Sequence, residues 1–141
     1  YSTFFLDDRL YGIDVMEVQE VTKAMPMGSI RLAPAYVRGL VNLRGQIATA
    51  IGLRELFHLG PLPGSEPSMN VVCKVEDVLL SLVVDKIGDV IEVEDSTFEP
   101  TPDTVDPRIT SFMRGVYKTP GSLLTVLEVK KLFEILNRKE D

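Results

Sequence analysis

The stretch V-R-G-L-V-N-L-R-G-Q-I-A-T-A-I-G-L-R-E-L-F, residues 37 to 57, returns 76 places later as M-R-G-V-Y-K-T-P-G-S-L-L-T-V-L-E-V-K-K-L-F, residues 113 to 133, without a gap. Arg38 falls on Arg114, Gly39 on Gly115, Gly45 on Gly121, Thr49 on Thr125, Leu56 on Leu132 and Phe57 on Phe133. A second self-match, at a slide of 69, lays residues 6 to 21 over residues 75 to 90. There Leu10 meets Leu79, Ile13 meets Leu82, Val18 meets Ile87 and Glu20 meets Asp89. The two slides differ by seven. The simplest reading is one domain over residues 1–141 made of two copies of a unit, at about 1–60 and 68–136, the second carrying seven more residues in its middle. Between them lies G-P-L-P-G-S-E-P-S, residues 60 to 68, whose Pro and Gly content marks a loop.

Within each copy the local signals are mostly strand. F-F-L and L-Y-G-I-D-V flank D-D-R, and V-V-C-K-V and V-L-L-S-L-V-V flank E-D, so each copy opens with a hairpin joined by a polar turn. Each closes with a helical pattern. Leu53, Leu56 and Phe57 form the first apolar stripe, stopped by Gly60 and Pro61. Val129, Leu132, Phe133 and Leu136 form the second, with Lys130, Lys131 and Glu134 facing away. That C-terminal amphipathic helix packs on its own barrel or else binds a partner. Short strands with one closing helix per copy predict a mainly β protein of two small antiparallel β-barrel subdomains with short helices. The acidic, Pro-rich connection at residues 94 to 108 is expected to be an exposed loop.

Arg44 interrupts this pattern. The repeat places Arg44-Gly45 on Pro120-Gly121, and Pro-Gly suits the two central positions of a type II turn, because proline presets φ and glycine accepts φ > 0. A tight turn therefore accounts for Gly45 but not for the arginine, which the other copy does without. Arg44 is either a solvated turn residue or a residue kept for a partner.

Composition bounds the function. At 141 residues, with 45% apolar and 26% charged residues, the chain is one ordinary globular domain. A net charge of −6 argues against nucleic acid or an anionic membrane as the main partner. The longest apolar run, residues 78 to 84, is far short of the roughly 20 residues a spanning helix needs, and no charged-then-apolar leader precedes it. A single cysteine, Cys73, sits in an apolar run, as a buried, inert thiol in a reducing compartment would. These features together point to the cytoplasm, for a chain that opens on Tyr1 and is compatible with the loss of an N-terminal piece.

Catalytic patterns are sparse. His58 is the only histidine, and one imidazole with one buried thiol makes no zinc or transition-metal site. No phosphate loop, dinucleotide fingerprint, nucleophile elbow or metalloprotease helix occurs. No cofactor is expected. A small-ligand barrel or hydrolase reading would need a deep pocket holding His58 beside a carboxylate and a hydroxyl.

Taken in order, Y-G-I-D-V-M-E-V-Q-E-V, A-P-A-Y-V-R-G-L-V-N-L-R-G-Q-I, L-V-V-D-K-I-G-D-V, M-R-G-V and L-E-V-K-K-L-F resemble the CheW family of bacterial chemotaxis adaptors over nearly the whole chain. The resemblance implies two small β-barrels and no catalysis. It implies an adaptor that bridges the cytoplasmic tips of chemoreceptors to the regulatory domain of the histidine kinase CheA, within the chemotaxis type of two-component signal transduction. Thr49 and Gly52 depart from the proline and aspartate that many members carry in this region. A similar domain occurs inside CheA and CheV proteins. Only N-R-K-E-D follows the last helix, which favours a stand-alone adaptor over a regulatory piece of such a protein. Carried over by motif, the receptor-binding positions are Val18 and Glu20 of V-Q-E, Arg44 of N-L-R-G, and Ile87 and Val90 after V-V-D. Val18 and Ile87 correspond in the repeat. They therefore imply one groove between the barrels, which would take a helical hairpin apolar face down. Ordinary core is the alternative for the three apolar residues. The resemblance transfers no particular kinase-facing residues.

Overall fold

The computed structural model describes residues 1–28, 33–60, 68–100 and 107–136. Eleven strands are present among them: β1 (Ser2–Leu6), β2 (Arg9–Ile13), β3 (Val18–Lys23), β4 (Val37–Leu43), β5 (Gln46–Gly52), β6 (Met69–Val75), β7 (Val78–Val84), β8 (Lys86–Val90), β9 (Phe98–Glu99), β10 (Met113–Thr119) and β11 (Ser122–Leu127). The helices are α1 (Leu53–Leu56), α2 (Pro107–Thr110) and α3 (Val129–Leu136). Residues 61–67 of the expected inter-copy loop, 101–106 of the acidic connection and the 137–141 tail lie outside the described residues. The described part of that connection is not all loop, since it holds a 3-10 turn at Asp95–Thr97, β9 and the start of α2.

The strands form two sheets, ordered β8-β1-β2-β11-β10-β9 and β3-β6-β7-β5-β4. The expected barrels are not closed. Among the described residues each sheet has two edge strands, although the chain leaving β3 returns to β4 through the bridge Gly28↔Leu40, with N–H to O distances of 2.9 and 2.8 Å. Nor do the sheets follow the halves of the chain. The opening hairpin β1–β2 joins β10 and β11 of the second half, while β6–β7 joins β4 and β5 of the first. Four pairings make this exchange: β2 with β11 and β7 with β5 are parallel, while β1 with β8 and β3 with β6 are antiparallel.

Register repeats at both sequence offsets. Leu124 pairs with Leu10 as Ala48 pairs with Leu79, and Val18 pairs with Cys73 as Ile87 pairs with Phe4. The bulges recur too, at Val37/Gly39 and Met113/Gly115. An added Cβ at Gly115 would stand 2.5 Å from Phe98 Cε1, which is why the bulge takes a glycine there.

The exchange leaves one large core between the sheets and a small one inside each. Phe4, Leu6, Tyr11 and Ile13 of one sheet meet Ile51, Val71, Cys73, Leu80 and Leu82 of the other. A run of rings, Phe4, Tyr11, Phe57 and Phe112, crosses this core with centroids 5.9, 5.9 and 6.1 Å apart. Val72, Leu79 and Val83 turn the other way, into the cluster with Val41, Leu43, Ala48 and Ala50. Strands β6 and β7 are thus buried on both faces, which explains why residues 78 to 84 are apolar without alternation save for Ser81, whose hydroxyl bonds Asn70 Oδ1 at 3.1 Å. Helix α3 buries Val129 and Leu132 in the shared core, with Phe133 and Leu136 packed against it and Lys130, Lys131 and Glu134 more open. Full burial of such a leucine is worth about 1.5–3 kcal/mol.

Candidate functional site

The turn between β4 and β5 presents Arg44. Leu43 pairs with Gln46, so two residues make the turn, and both have positive φ, 52° at Arg44 and 89° at Gly45. This is the type I′ pattern rather than the type II expected from Pro120-Gly121. Proline cannot adopt positive φ, so the turn of the second half follows a different path in which only Gly121, at 79°, does so. The Gly45 N–H donates to Asn42 Oδ1 at 2.9 Å. A non-glycine residue in the left-handed region costs roughly 1–2 kcal/mol, so the arginine is held at a position that glycine or asparagine would fill more easily.

The Arg44 guanidinium is 85% exposed and its Nη2 lies 3.1 Å from Glu20 Oε2, whose side chain is 20% exposed. Glu20 is on β3 and Arg44 beside β4, the two ends of the same five-stranded sheet. Their meeting shows that the sheet curls until its edges approach. The second half has Asp89 and Pro120 at the matching positions and makes no such pair.

Val18 and Ile87 are half-buried, each packed against the shared core from a different sheet. Val90 is not core, being 66% exposed. In a regular strand Ile87 and Val90, three residues apart, would face opposite ways. A bulge on β8 changes this, because Ile87 pairs with Phe4 and Val90 with Ser2, three steps against two. Both therefore take the same face. Strand β3 does the same, with Val18 opposite Cys73 and Val21 opposite Val71. Val21, 40% exposed, thus stands on β3 where Val90 stands on β8. Val21 is not among the positions carried over by motif, although the 69-residue slide aligns it with Val90. Each edge strand carries an inner, half-buried apolar residue and an outer, exposed one.

A second polar cluster gathers Arg54, Asp7 and Asp85. Arg54 holds Asp85 through Nε–Oδ1 at 2.7 Å and Nη2–Oδ2 at 2.6 Å, and also bonds the Asp7 carboxylate. The hydrogen bonds that the guanidinium donates to Asp85 keep its pKa above its ordinary value, against the pull of burial. Burial pushes the Asp85 carboxyl up, but the hydrogen bonds from Arg54 and the Asp7 N–H leave it below the usual carboxylate range.

His58, with φ 57°, lines a cavity of about 400 Å³ together with Arg54, Glu55, Leu59 and Gly60. It stands near a carboxylate, but the described lining offers no hydroxyl or thiol. Among the described residues no three His, Cys, Asp or Glu side chains gather to hold a metal, and no helix is long and apolar enough to cross a membrane. Burial pushes the Cys73 thiol up to about 12.

A family model described as the CheW-like domain matches residues 1–137. A chemotaxis protein CheW of Treponema pallidum is 36% identical over 135 residues, covering 93% of this chain and 79% of that protein. One of Rhizobium meliloti is 30% identical over 133 residues, covering 92% and 84%. The crystal structure of the scaffolding protein TtCheW from Thermoanaerobacter tengcongensis superposes with a TM-score of 0.87 at 29% identity, over 99% of this chain and 94% of that one.

Proposed function

The chain belongs to the CheW-like domain family, and from that membership we propose that it is a non-enzymatic adaptor coupling chemoreceptors to the histidine kinase CheA in chemotaxis-type signal transduction. Family members are scaffolds rather than enzymes. The partners we assign more finely are the cytoplasmic tip of a chemoreceptor and the regulatory domain of CheA, met in the cytoplasm. We read residues 1–60 and 68–136 as two copies of one unit, a reading supported by the repeated registers.

The observation that carries the receptor site is the match between β3 and β8. Val18 and Val21 on one, and Ile87 and Val90 on the other, hold equivalent places beside one shared core. A receptor's helical hairpin would lay its apolar face between these strands, with Arg44 and Glu20 at the polar rim. Titrating the full chain separately with a receptor-tip hairpin and with a CheA regulatory domain tests the proposal. Binding to both is expected, with Val18→Lys or Ile87→Lys abolishing only the first. Binding to neither rejects the adaptor role, and receptor binding indifferent to those substitutions rejects the groove.

A further inference from the structure

We propose that Arg54 is a positioning residue for receptor binding: it fixes the start of β8 and so sets the face that carries Ile87 and Val90. The inference rests on the groove reading above. Asp85 is the single residue between β7 and β8, where the chain passes from one sheet to the other. Its N–H donates to the Phe5 carbonyl at 3.1 Å and its Oδ2 accepts from the Asp7 N–H at 2.7 Å, both on the first sheet's opening hairpin. From the second sheet's side, Arg54 grips both oxygens of the same carboxylate, and its Nη1 donates to the Gly60 carbonyl at 2.9 Å. A guanidinium bonded to a carboxylate through two parallel bonds sets orientation as well as distance. Asp85 is buried and Arg54 only slightly exposed, so solvent competes weakly for these bonds. Ile87 follows it by two residues.

The repeat supplies an internal comparison. The same offsets put Met16 where Asp85 stands, Glu76 where Asp7 stands and Lys130 where Arg54 stands. That set forms no ion cluster among the described residues, and Met16 is 86% exposed. Its N–H turns back to Asp14 Oδ1 at 3.0 Å, two residues away, instead of reaching a neighbouring strand. Strand β3 therefore starts from a locally capped turn, whereas β8 starts from a network that spans both sheets. One wall of the groove is clamped and the other is left to adjust.

The test uses Arg54→Lys in the full chain, because lysine keeps the charge but cannot make the parallel pair. Residue-resolved amide hydrogen exchange is measured beside affinity for a chemoreceptor-tip hairpin. Exchange along β8 should quicken about tenfold or more while β3 changes less than about twofold, and affinity should fall about five- to tenfold. Asp85→Asn, which keeps the side-chain shape, should give the same pattern. Equal acceleration in β3 and β8 would mark a general loss of stability and overturn the proposal, as would a loosened β8 with undiminished affinity. A wild-type chain that ignores the hairpin rejects the groove reading and the binding role with it. In that case the exchange contrast still decides whether Arg54 holds β8.

Discussion

The Glu55 carboxylate occupies the space in which a side chain on Gly52 would stand. Its Oε1 accepts from Arg38 Nη1 at 3.1 Å, while the buried Oε2 has no hydrogen-bond partner among the described residues. In the second half the matching arginine, Arg114, is held by Glu128, the residue that matches Gly52, at 2.8 and 3.0 Å. The arginine has kept its place in both halves, and in the first the carboxylate has moved three residues along the chain. Gly52 leaves free the room that the Glu55 carboxylate takes.

This relationship predicts a compensating pair. Arg38 and Glu55 are partly exposed, so Glu55→Ala should cost no more than about 1 kcal/mol. Gly52→Asp alone should cost roughly 1–3 kcal/mol by crowding Glu55. Combined with Glu55→Ala, the aspartate should recover most of that loss, as a double-mutant cycle in urea would measure. An aspartate tolerated equally well in both backgrounds would contradict the account.

Arg44 and Gly45 should separate binding from folding. Arg44→Ala removes an exposed ion pair and should change stability by less than about 1 kcal/mol. If the arginine anchors the receptor contact, affinity for a receptor tip should fall roughly thirtyfold, equivalent to about 2 kcal/mol. Gly45→Val should do the reverse. No atom lies within 4 Å of a Cβ added there, so its cost is the backbone strain of a β-branched residue at φ 89°, and the melting temperature reports it. An Arg44→Ala protein that binds normally but melts several degrees lower would make the residue structural.

Acid should weaken the Arg54 cluster. Because the folded-state pKa of Asp85 is depressed, the folded chain holds this proton less tightly than the unfolded chain does. The stabilisation is complete above the unfolded value of about 4 and is lost as pH falls through the depressed one. Glu128, lowered by its hydrogen bonds from Arg114, acts in the same sense. Melting temperature should therefore drop steeply below about pH 4, and Asp85→Asn should be less stable at neutral pH yet show a flatter acid limb. Parallel profiles for the two proteins would exclude Asp85 as a source of the slope.

Cys73 should be silent in the native state. Its thiol is fully buried in the shared core and, with a pKa of about 12, carries almost no thiolate at pH 8. A disulfide-exchange reagent should label it only after denaturant is added. Rapid labelling without denaturant would mean that the shared core opens readily.

The hairpins, the closing helices and the turn positions were legible because local chemistry specifies them. Asp7-Asp8 and Glu76-Asp77 interrupt apolar runs, and Val129, Leu132, Phe133 and Leu136 keep helical spacing. The exchange of hairpins was not legible. Leu10 pairs with Leu124 through contacts far apart in sequence, and strands buried on both faces carry no alternation to say which sheet they join. At the candidate site, charge and turn chemistry singled out Arg44, and its pairing with Glu20 was foreseeable in kind. Val21 was hidden by a bulge that resets which face a residue takes, and Arg54 by its look of an ordinary exposed helix residue in L-R-E-L.

The exchange of hairpins also dictates how the molecule must be made. The middle of the second sheet, β6 and β7, does not exist when β3, β4 and β5 have been synthesised, and the first sheet waits for β11. At about 5–20 residues per second the nascent first half spends seconds with unpaired strand edges, a period in which a holdase is useful. The finished topology has high contact order and should fold in milliseconds to seconds, slower than a helical bundle of its size. In terms of assembly, the molecule joins its halves as a hairpin-swapped dimer joins its subunits, with the swap closed inside one chain.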